Sequence, residues 1–402
     1  MKRAFIFSLI LGCLSLPVVT ASAQKQPGEP KPTDVEINAH VYEPVQLKVS
    51  DDLIKQLKLP DGFKIQKFAE GLGKPRIMTV APDGTVYVTR RDPGDVIMLR
   101  DTNGDGTADI KQIVAKKPKL HGIALRGNTM YLTTIREIYT ADRLPDGRLG
   151  RLRQIISDLP DAGQHPNRTI AFGPDGMLYI TVGSTCNACT ENDTNATILR
   201  ASPDGRNRQI FASGLRNTIG FGWHPVTRQM YGMDHGIDWL GDNEQKEELN
   251  RIEAGKRYGW PYIYADGKYN PQDEPPNGIT MAQWAKMSQE PVALYTAHSA
   301  PMQMAFYTAN QFPAEYKNDA FVAMRGSWNR KPPSGHEIVR IRFDKSGNPT
   351  AIEPFLTGFL VKMNKEDYGR FARPVGVSVA KDGSLLIGDN MNGVIYRISY
   401  AK

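Results

Sequence analysis

The sequence predicts an all-β protein with the fold of a six-bladed β-propeller, and three observations lead to this prediction. A short apolar run, a turn of the Asp-Gly kind and a second apolar run around an aromatic residue recur along the chain. Most copies lie roughly 45 to 50 residues apart, a spacing typical of propeller blades built from four short strands. Helical signals are scarce over the same residues. A β-sandwich of irregular hairpins is the alternative.

The repeated pattern has six copies. They occupy residues 77–89, 122–134, 170–182, 219–234 and 375–389, with a degenerate copy at 306–324. An Asp-Gly pair between two alternating apolar runs predicts a β-hairpin in which both turn residues take positive φ. Because the loops on one face of a propeller converge on its central channel, a ligand site would draw single residues from just before or after several hairpins.

The N-terminal region predicts an exported protein. A basic start, an apolar run too short to span a bilayer and a small-x-small end make residues 1–23 a predicted signal peptide. A lipoprotein signal is the alternative, because residues 10–13 loosely resemble a lipobox. No later stretch is long and apolar enough for a membrane helix, so we expect the mature protein to be periplasmic or secreted.

Composition divides the rest of the chain. Residues 24–50 are rich in Pro, Lys and Glu and predict an arm or linker, and residues 51–402 form the predicted propeller domain. The segment at 241–252, GDNEQKEELNRI, carries the best helical signal and is expected to lie in an insertion between strands. The formal net charge of +7 comes from dispersed basic residues, which argues against a nucleic-acid partner and implies only mild attraction for anionic ligands.

Cys186 and Cys189, in the sequence CNAC, predict a disulfide. No histidine follows them, which disfavours covalent haem, and two cysteines without paired histidines support a zinc site poorly. In an oxidising compartment a disulfide across a small loop is the best interpretation.

A second motif, DTNGDGTAD, has the spacing of a calcium-binding loop. Its oxygen-bearing residues are Asp101, Asn103, Asp105 and Asp109, with Gly106 at the tight turn. The acid expected at the twelfth position is Gln112, and no helices flank the loop, so an ordinary EF-hand is not predicted. The motif leaves open a structural calcium site between strands or a polar hairpin loop.

Several stretches resemble one family, the glucose/sorbosone dehydrogenases. They are residues 165–184, 214–225, 233–261, 325–343 and 372–398. The members of this family are soluble quinoproteins, six-bladed propellers that bind pyrroloquinoline quinone on one face. The resemblance covers about residues 60 to 400 in order. The sequences GSWNR, GSTCNAC and RYGWPY resemble the L-sorbosone dehydrogenase branch more than soluble glucose dehydrogenase.

The resemblance implies a catalytic base. His165 precedes a hairpin of the Gly-Pro-Asp-Gly kind, as the catalytic histidine of the family does. It would take the proton from the substrate hydroxyl while hydride leaves the same carbon for the quinone. An imidazole whose pKa lies near the working pH suits that task. Read without the resemblance, it is a surface-loop histidine before proline.

The resemblance also implies cationic residues at the cofactor, which carries three carboxylates. Arg216 and Asn217 match the Arg-Asn pair at the quinone, where a guanidinium stabilises negative charge that develops on reduction. Arg373 matches an arginine that pairs with a cofactor carboxylate. Arg325 and Arg330 are both candidates for a further cationic position in RGSWNRK.

Two further positions bear on the cofactors. Gly236 and Ile237 fall where the family offers backbone carbonyls to a calcium ion, and a carbonyl ligand tolerates Ile237 in place of the family's proline. Phe371 stands where the glucose dehydrogenase has a second arginine, so recognition of a cofactor carboxylate departs from the family there.

The resemblance implies oxidation of a sugar or sugar aldehyde with pyrroloquinoline quinone and Ca²⁺. Electrons would pass to an external acceptor, since no haem motif is present, and the protein would be a monomer or a homodimer. One alternative is a calcium-dependent propeller hydrolase acting on lactones, which would need carboxylates and asparagines at a central metal. The other is a propeller that has lost the quinone and serves as a binding module.

Overall fold

The structure is a computed structural model that describes residues 36–161 and 163–401. The described chain is nearly all β, with six sheets of four strands each and two short α-helices. The predicted signal peptide, residues 1–23, and residues 24–35 of the predicted arm lie outside the described residues. None of the helices that the structure describes could cross a membrane, because each is too short and too polar.

The chain passes through two strands and a helix before its first complete sheet, namely β1 (Val45–Gln46), α1 (Asp51–Lys55) and β2 (Phe63–Ala69). Sheets I, II and III then follow, each an antiparallel meander of four consecutive strands. Sheet I contains β3 (Met78–Val80), β4 (Val86–Arg90), β5 (Asp95–Arg100) and β6 (Ile110–Lys116). Sheet II contains β7 (Gly122–Arg126), β8 (Thr129–Thr133), β9 (Ile138–Asp142) and β10 (Arg153–Ile156). Sheet III contains β11 (Ile170–Phe172), β12 (Leu178–Val182), β13 (Thr197–Ala201) and β14 (Gln209–Ser213).

The second half of the chain repeats this plan with insertions. Sheet IV contains β15 (Gly220–Trp223), β16 (Met230–Asp234), β17 (Glu247–Ile252) and β20 (Ala293–Tyr295). Its insertion holds the pair β18 (Ile263–Tyr264) and β19 (Lys268–Tyr269) and helix α2 (Met281–Met287). Sheet V contains β21 (Pro301–Phe306), β22 (Ala320–Met324), β23 (Glu337–Phe343) and β24 (Pro349–Leu356), with a 3-10 turn at Ala314–Tyr316.

The last sheet joins the two ends of the described chain. Sheet VI contains β27 (Pro374–Val379), β28 (Leu385–Asp389) and β29 (Val394–Tyr400), and β2 completes it as the strand next to β29. Between sheets V and VI, β25 (Leu360–Lys362) and β26 (Tyr368–Arg370) form a three-stranded sheet with β1, which pairs with β26 in parallel. The predicted arm therefore packs against the domain from its first described residues onward.

Five of the six predicted hairpins are confirmed, and each forms the first two strands of one four-stranded sheet. The degenerate copy at 306–324 contains β22, but the strand that pairs with it, β21, begins at Pro301, before the predicted start. The predicted turn geometry is wrong in one respect. In the first hairpin only Gly84 takes positive φ, at 95°, while Asp83 does not. Pro82 precedes this pair and fixes its own φ near −65°, so the turn runs over more than two residues. The Asp83 carboxylate stabilises it by accepting from the backbone N–H of Thr85 at 3.1 Å.

The helix predicted at 241–252 is wrong, because residues 247–252 form β17. This strand pairs with β16 on one side and β20 on the other, and its two acidic side chains, Glu247 and Glu248, are buried. The Glu247 carboxylate accepts from the backbone N–H groups of Gly236 and Ala300, at 2.9 and 2.8 Å. Acidic residues that favoured an exposed helix are therefore internal hydrogen-bond acceptors, and strand pairing overrides local helical propensity.

The first strands of all six sheets face one central cavity of about 310 Å³. The side chain of Gln303 joins three of these sheets, since its amide donates to the carbonyl of Met78 and its oxygen accepts from the N–H groups of Met78 and Val377. Apolar side chains fill the spaces between neighbouring sheets, for example Tyr131 and Ile138 of sheet II against Ile180 of sheet III. The arrangement is of the β-propeller type.

Glycines allow neighbouring first strands to approach closely. An ideal Cβ on Gly220 of sheet IV would lie 2.0 Å from the carbonyl oxygen of Met302 in sheet V. The same is true of Gly122 against Arg168, at 2.5 Å, and of Gly376 against Arg76, at 2.6 Å. Three of the junctions between neighbouring sheets thus have no room for a side chain.

We expect Gly220→Ala to lower the free energy of unfolding by about 1–3 kcal/mol, because the added methyl group must push two central strands apart. Urea unfolding midpoints of the purified variant and the wild type would measure the loss. Gly150→Ala is the matched control, since the nearest atom to its Cβ is 3.4 Å away. Equal stability of the two variants would show that the close approach of these strands carries no such constraint.

Candidate active site

A polar cavity of about 420 Å³ opens where the hairpins end. Most of its residues lie either just before the first strand of a sheet or just after the second, as the sequence predicted for a ligand site. The first group includes Arg76, His165, Asn217 and Ala300, and the second includes Arg91, His235, Arg325 and Asn390. Five of the six sheets therefore contribute to one wall.

His165 is held with one ring nitrogen in the protein and the other toward the cavity. Its Nδ1 lies 2.7 Å from Ser184 Oγ and 3.1 Å from the carbonyl oxygen of Ser184. The Ser184 hydroxyl donates its own hydrogen to the carbonyl of Cys186 at 2.7 Å. Both groups at Nδ1 are therefore acceptors, so Nδ1 carries the hydrogen and Nε2 has a free lone pair.

The surroundings keep His165 neutral. Burial, and then the positive charge of Arg216, lowers the pKa of its imidazole to about 3. His235 is neutral for the same reason, since burial together with nearby arginines lowers its pKa to about 3 as well. His235 donates through Nε2 to the carbonyl of Pro301 at 2.5 Å.

One buried carboxylate holds the turn that carries Arg216 and Asn217. Asp234, at the end of β16, accepts from the backbone N–H groups of both residues at 2.7 and 2.8 Å and from the hydroxyl of Thr218 at 2.8 Å. The Arg216 side chain is only 2% exposed and pairs with Asp238 at 2.8 Å. Arg216 and Asn217 both line the cavity, as the resemblance predicted.

Three guanidinium groups of the cavity wall lack carboxylate partners. The Nε atoms of Arg76, Arg91 and Arg325 are buried and make no hydrogen bond within the described residues. Burial, and then the charge of Arg91, lowers the pKa of Arg76 to about 10. Burial, and then the charge of Arg76, lowers that of Arg325 to about 9. The cavity is therefore a strongly positive site that suits a polyanion.

The structure separates the two candidates in RGSWNRK. Arg325 lines the cavity, and no side chain of the described residues accepts a hydrogen bond from it. Arg330 does not line the cavity, and its three nitrogens donate to the carbonyls of Pro332 and Ala297 and to the side chain of Asn243.

The other predicted arginine, Arg373, also lies outside the cavity wall. Its Nη2 is 3.4 Å from the carbonyl of Gly326, and its Nη1 is 3.9 Å from Glu43 of the arm. Glu43 also pairs with Arg370. The neighbouring Phe371 is fully buried in the hydrophobic core.

Gly236 lines the cavity, and Ile237 is buried beside it with its side chain in an apolar cluster. Their backbone N–H groups donate to Glu247 Oε2 at 2.9 Å and Gln245 Oε1 at 3.1 Å. Burial raises the pKa of Glu247 to about 8. Among the described residues, the acidic side chains of this cavity do not gather into a group of three or more that could ligate one metal ion.

The loop at 101–109 connects β5 and β6 of sheet I, away from this cavity. Its side-chain oxygens accept hydrogen bonds from backbone N–H groups of the same loop. The carboxylate of Asp101 accepts from the N–H groups of Gly104 and Gly106, Asn103 Oδ1 from that of Asp105, and Asp105 Oδ1 from that of Thr107. Asp109 accepts from the N–H and hydroxyl of Thr102. Calcium binding by this loop stays a prediction.

Cys186 and Cys189 form a disulfide, and their Cα atoms are 6.2 Å apart. The loop that it closes follows β12, next to Ser184 and the ring of His165.

Sequence reasoning missed several cavity residues, chiefly Arg76, Arg91, Asn167 and Glu247. A signal for the two arginines was present: Arg76 directly precedes the first hairpin and Arg91 directly follows it. Asn167 stands two residues after His165, and its Oδ1 is buried without a hydrogen bond in the described part of the chain. Glu247 could not be found, since the segment around it carried a helical signal and was expected to lie in an insertion between strands.

Comparison with known proteins connects this cavity to a family. The TrAA12-like family model matches residues 57–401. An uncharacterized protein of Borreliella burgdorferi is 29% identical over 372 residues, which cover 88% of this chain and 93% of the relative. A pyrroloquinoline quinone-dependent pyranose dehydrogenase of Coprinopsis cinerea is 22% identical over 407 residues. That match covers 85% of this chain, which spans about half (54%) of the fungal protein's length.

Among solved structures, the holo form of the quinone-binding domain of that Coprinopsis cinerea pyranose dehydrogenase superposes with a TM-score of 0.73 at 20% identity. The superposition covers 86% of this chain and 97% of that domain. At this level of identity the likeness establishes the fold.

We expect the ring of His165 to stay neutral at pH 5 in the protein without a bound anion, with its hydrogen on Nδ1. Its folded pKa of about 3 lies below the ordinary value of about 6.5. The stability that neutral His165 contributes is therefore fully present above pH 6.5 and is lost as the pH falls toward 3. ¹⁵N NMR of histidine-labelled protein, assigned with His165→Gln, would report the protonation state. A ring that titrates near pH 6.5 would contradict the arrangement described.

Proposed function

From the membership of this chain in the TrAA12-like family, we propose that it is a quinoprotein that oxidises a sugar or sugar aldehyde. The observation that carries the proposal is a set of three cavity arginines, Arg76, Arg91 and Arg325, whose buried Nε atoms have no hydrogen-bond partner among the described residues, beside a neutral histidine. When bound, pyrroloquinoline quinone supplies an ortho-quinone that accepts hydride from the reacting carbon, and it carries three carboxylates. The predicted resemblance is confirmed for the family, whereas the sorbosone branch stays a prediction.

The residues present fit this cofactor. Arg76, Arg91 and Arg325 would hold its carboxylates, because their buried Nε atoms make no hydrogen bond within the described residues. Leaving such groups desolvated and unpaired is costly, and an anion among them offsets that cost. Asn217 and Arg216 would lie at the quinone, where Arg216 stabilises negative charge. Arg330 is left out of this set because its nitrogens already donate outside the cavity, and Arg373 is left out because it does not line the cavity, although its buried Nε also lacks a partner among the described residues.

His165 is the general base of the proposed reaction. Its unprotonated Nε2 would take the proton of the substrate hydroxyl as the same carbon loses hydride. Ser184 keeps the hydrogen on Nδ1, so the imidazolium that forms is stabilised by the two acceptors at that nitrogen. An anion bound between the arginines would oppose the charges that lower the pKa of His165 and so raise its basicity.

Calcium fits the proposal through the carbonyl groups of Gly236 and Ile237, whose peptide is oriented by Glu247 and Gln245.

The six four-stranded sheets would be the six blades, with β2 closing the last one. Electrons would pass on to an external acceptor, and export to the periplasm or the medium is proposed from residues 1–23. A metal-dependent lactone hydrolase is not favoured, because the described cavity gathers arginines and no cluster of acidic ligands.

Reconstitution with pyrroloquinoline quinone and Ca²⁺ tests the function. We expect dye reduction with members of a panel of aldoses and sorbosone, and we expect His165→Ala to lower kcat by about 10²- to 10⁴-fold while the quinone still binds. Binding would be followed by the absorbance of the quinone. Absence of quinone binding by the wild type would refute the proposal. An active His165→Ala variant would refute the role of the histidine alone.

The matched pair Arg325→Met and Arg330→Met tests which arginine recognises the cofactor. We expect Arg325→Met to raise the Kd of the quinone by about tenfold or more, since a buried charge-assisted partner is lost. Arg330→Met should leave the Kd within about twofold, because the donors of Arg330 are already used outside the cavity. Titration of the quinone by fluorescence quenching would measure both values, and the reverse order would contradict the assignment.

A further inference from the structure

The disulfide loop contributes one residue that contacts several elements of the site. Cys186 and Cys189 are three positions apart, and Asn187 lies between them. The carbonyl oxygen of Asn187 accepts from Arg216 Nε at 2.9 Å and from Trp260 Nε1 at 3.3 Å. Its side-chain Oδ1 accepts from Arg216 Nη2 at 2.7 Å and from the backbone N–H of Asp238 at 2.9 Å.

These contacts fix the guanidinium of Arg216 on two of its nitrogens. Two parallel hydrogen bonds from one residue define the plane of the group, as a carboxylate would, but without a negative charge. Asp238 adds a third contact at Nη2, and its own backbone is held by the same Oδ1. Asn187 therefore orients both members of the Arg216–Asp238 ion pair.

The same loop reaches His165. The carbonyl of Cys186 accepts the hydrogen of the Ser184 hydroxyl at 2.7 Å, which leaves that hydroxyl as an acceptor for His165 Nδ1. Two neighbouring carbonyl groups of the loop thus hold side chains of the cavity. The carbonyl of Cys186 acts on His165 through Ser184, and the carbonyl of Asn187 contacts Arg216 directly.

The Cys186–Cys189 disulfide contributes little to the stability of the whole fold. A disulfide that closes so short a loop removes little conformational freedom from the unfolded chain, because the effect grows with loop length. What it constrains is the local path of the backbone at residues 186–189, where the carbonyl groups that contact the site are located.

We propose that Asn187, held in the loop that the Cys186–Cys189 disulfide closes, is a positioning residue that fixes the Arg216 guanidinium in the cavity. This inference rests on the proposed function for its effect on catalysis, though not for its effect on the conformation of Arg216. Asn187 itself does not line the cavity, so it acts through Arg216.

The experiment compares Asn187→Ala and Asn187→Asp with the wild type. Alanine removes the Oδ1 acceptor, whereas aspartate keeps one. At saturating quinone and sugar, we expect Asn187→Ala to lower kcat by about tenfold with KM for the sugar within about twofold. The Kd of the quinone should rise by about tenfold. Asn187→Asp should restore both values to within about threefold of the wild type, and Cys186→Ser/Cys189→Ser should change them in the same direction as alanine.

Asn192→Ala is the matched control, because Asn192 lies beyond the disulfide, where, among the described residues, its side chain bonds only residues 194 and 195. Equal effects of Asn187→Ala and Asn192→Ala would overturn the inference, as would a lower melting temperature with unchanged kcat and Kd. If the wild type itself binds no quinone, the proposed function fails. Crystal structures of the unliganded variants then decide this inference: a guanidinium of Arg216 that keeps its place in Asn187→Ala would overturn it.

Discussion

The unpaired positive charge of the cavity is the constraint on which the rest of the site depends. Arg76, Arg91 and Arg325 come from sheets I and V, and the described chain offers their Nε atoms no acceptor. A buried cation without a partner destabilises the fold, and it persists where a ligand supplies the missing charge. The same arginines therefore lower the stability of the protein without a ligand and raise its affinity for an anion. Binding of the anion restores the stability by mass action.

The neutral histidines follow from burial and from nearby positive charge. Burial is the larger cause for both, and guanidinium groups add to it: Arg216 for His165, and Arg216, Arg325 and Arg76 for His235. A histidine that is kept neutral has one lone pair, and hydrogen bonding decides where it points. In His165 the acceptors of Ser184 occupy Nδ1, so the lone pair at Nε2 is left for the cavity. Burial and nearby charge thus set the protonation state of His165, and the residues that follow β12 set the direction of its lone pair.

The sequence predicts the hairpins well because they are local. Most of the hairpins are specified within about fifteen residues by alternation and a turn glycine. The copies at 219–234 and 306–324 have no glycine at the turn, and the second of these predicts the position of its first strand poorly. The helix predicted at 241–252 failed for the opposite reason. Its acidic residues are buried by partners that are distant in sequence, such as Ala300 for Glu247, and no local pattern shows this.

The sequence predicts where the residues of the candidate site lie relative to the hairpins better than it predicts which residues they are. The rule that site residues flank the hairpins places His165, Arg216 and Asn217 correctly beside the cavity, and applied to the first hairpin it would have found Arg76 and Arg91. It cannot choose between Arg325 and Arg330, because only four residues of an irregular loop separate them. The tertiary structure distinguishes the two, because hydrogen bonds outside the cavity hold Arg330 while Arg325 lines the cavity.

Negative charge from the arm separates two sets of arginines. Glu43 pairs with Arg370 and lies 3.9 Å from Arg373, whereas within the described residues it acts on Arg325 of the cavity only through longer-range electrostatics, without an ion pair. The arm is fixed there by the parallel pairing of β1 with β26 and by the N–H of Tyr42, which donates to the carbonyl of Trp328 at 3.0 Å. One arginine-rich region is thereby divided into a structural part, partly neutralised within the chain, and a part that keeps its charge for a ligand. An arginine aligned by sequence alone cannot be assigned to either part, because the acceptor that decides it lies more than three hundred residues away in the chain.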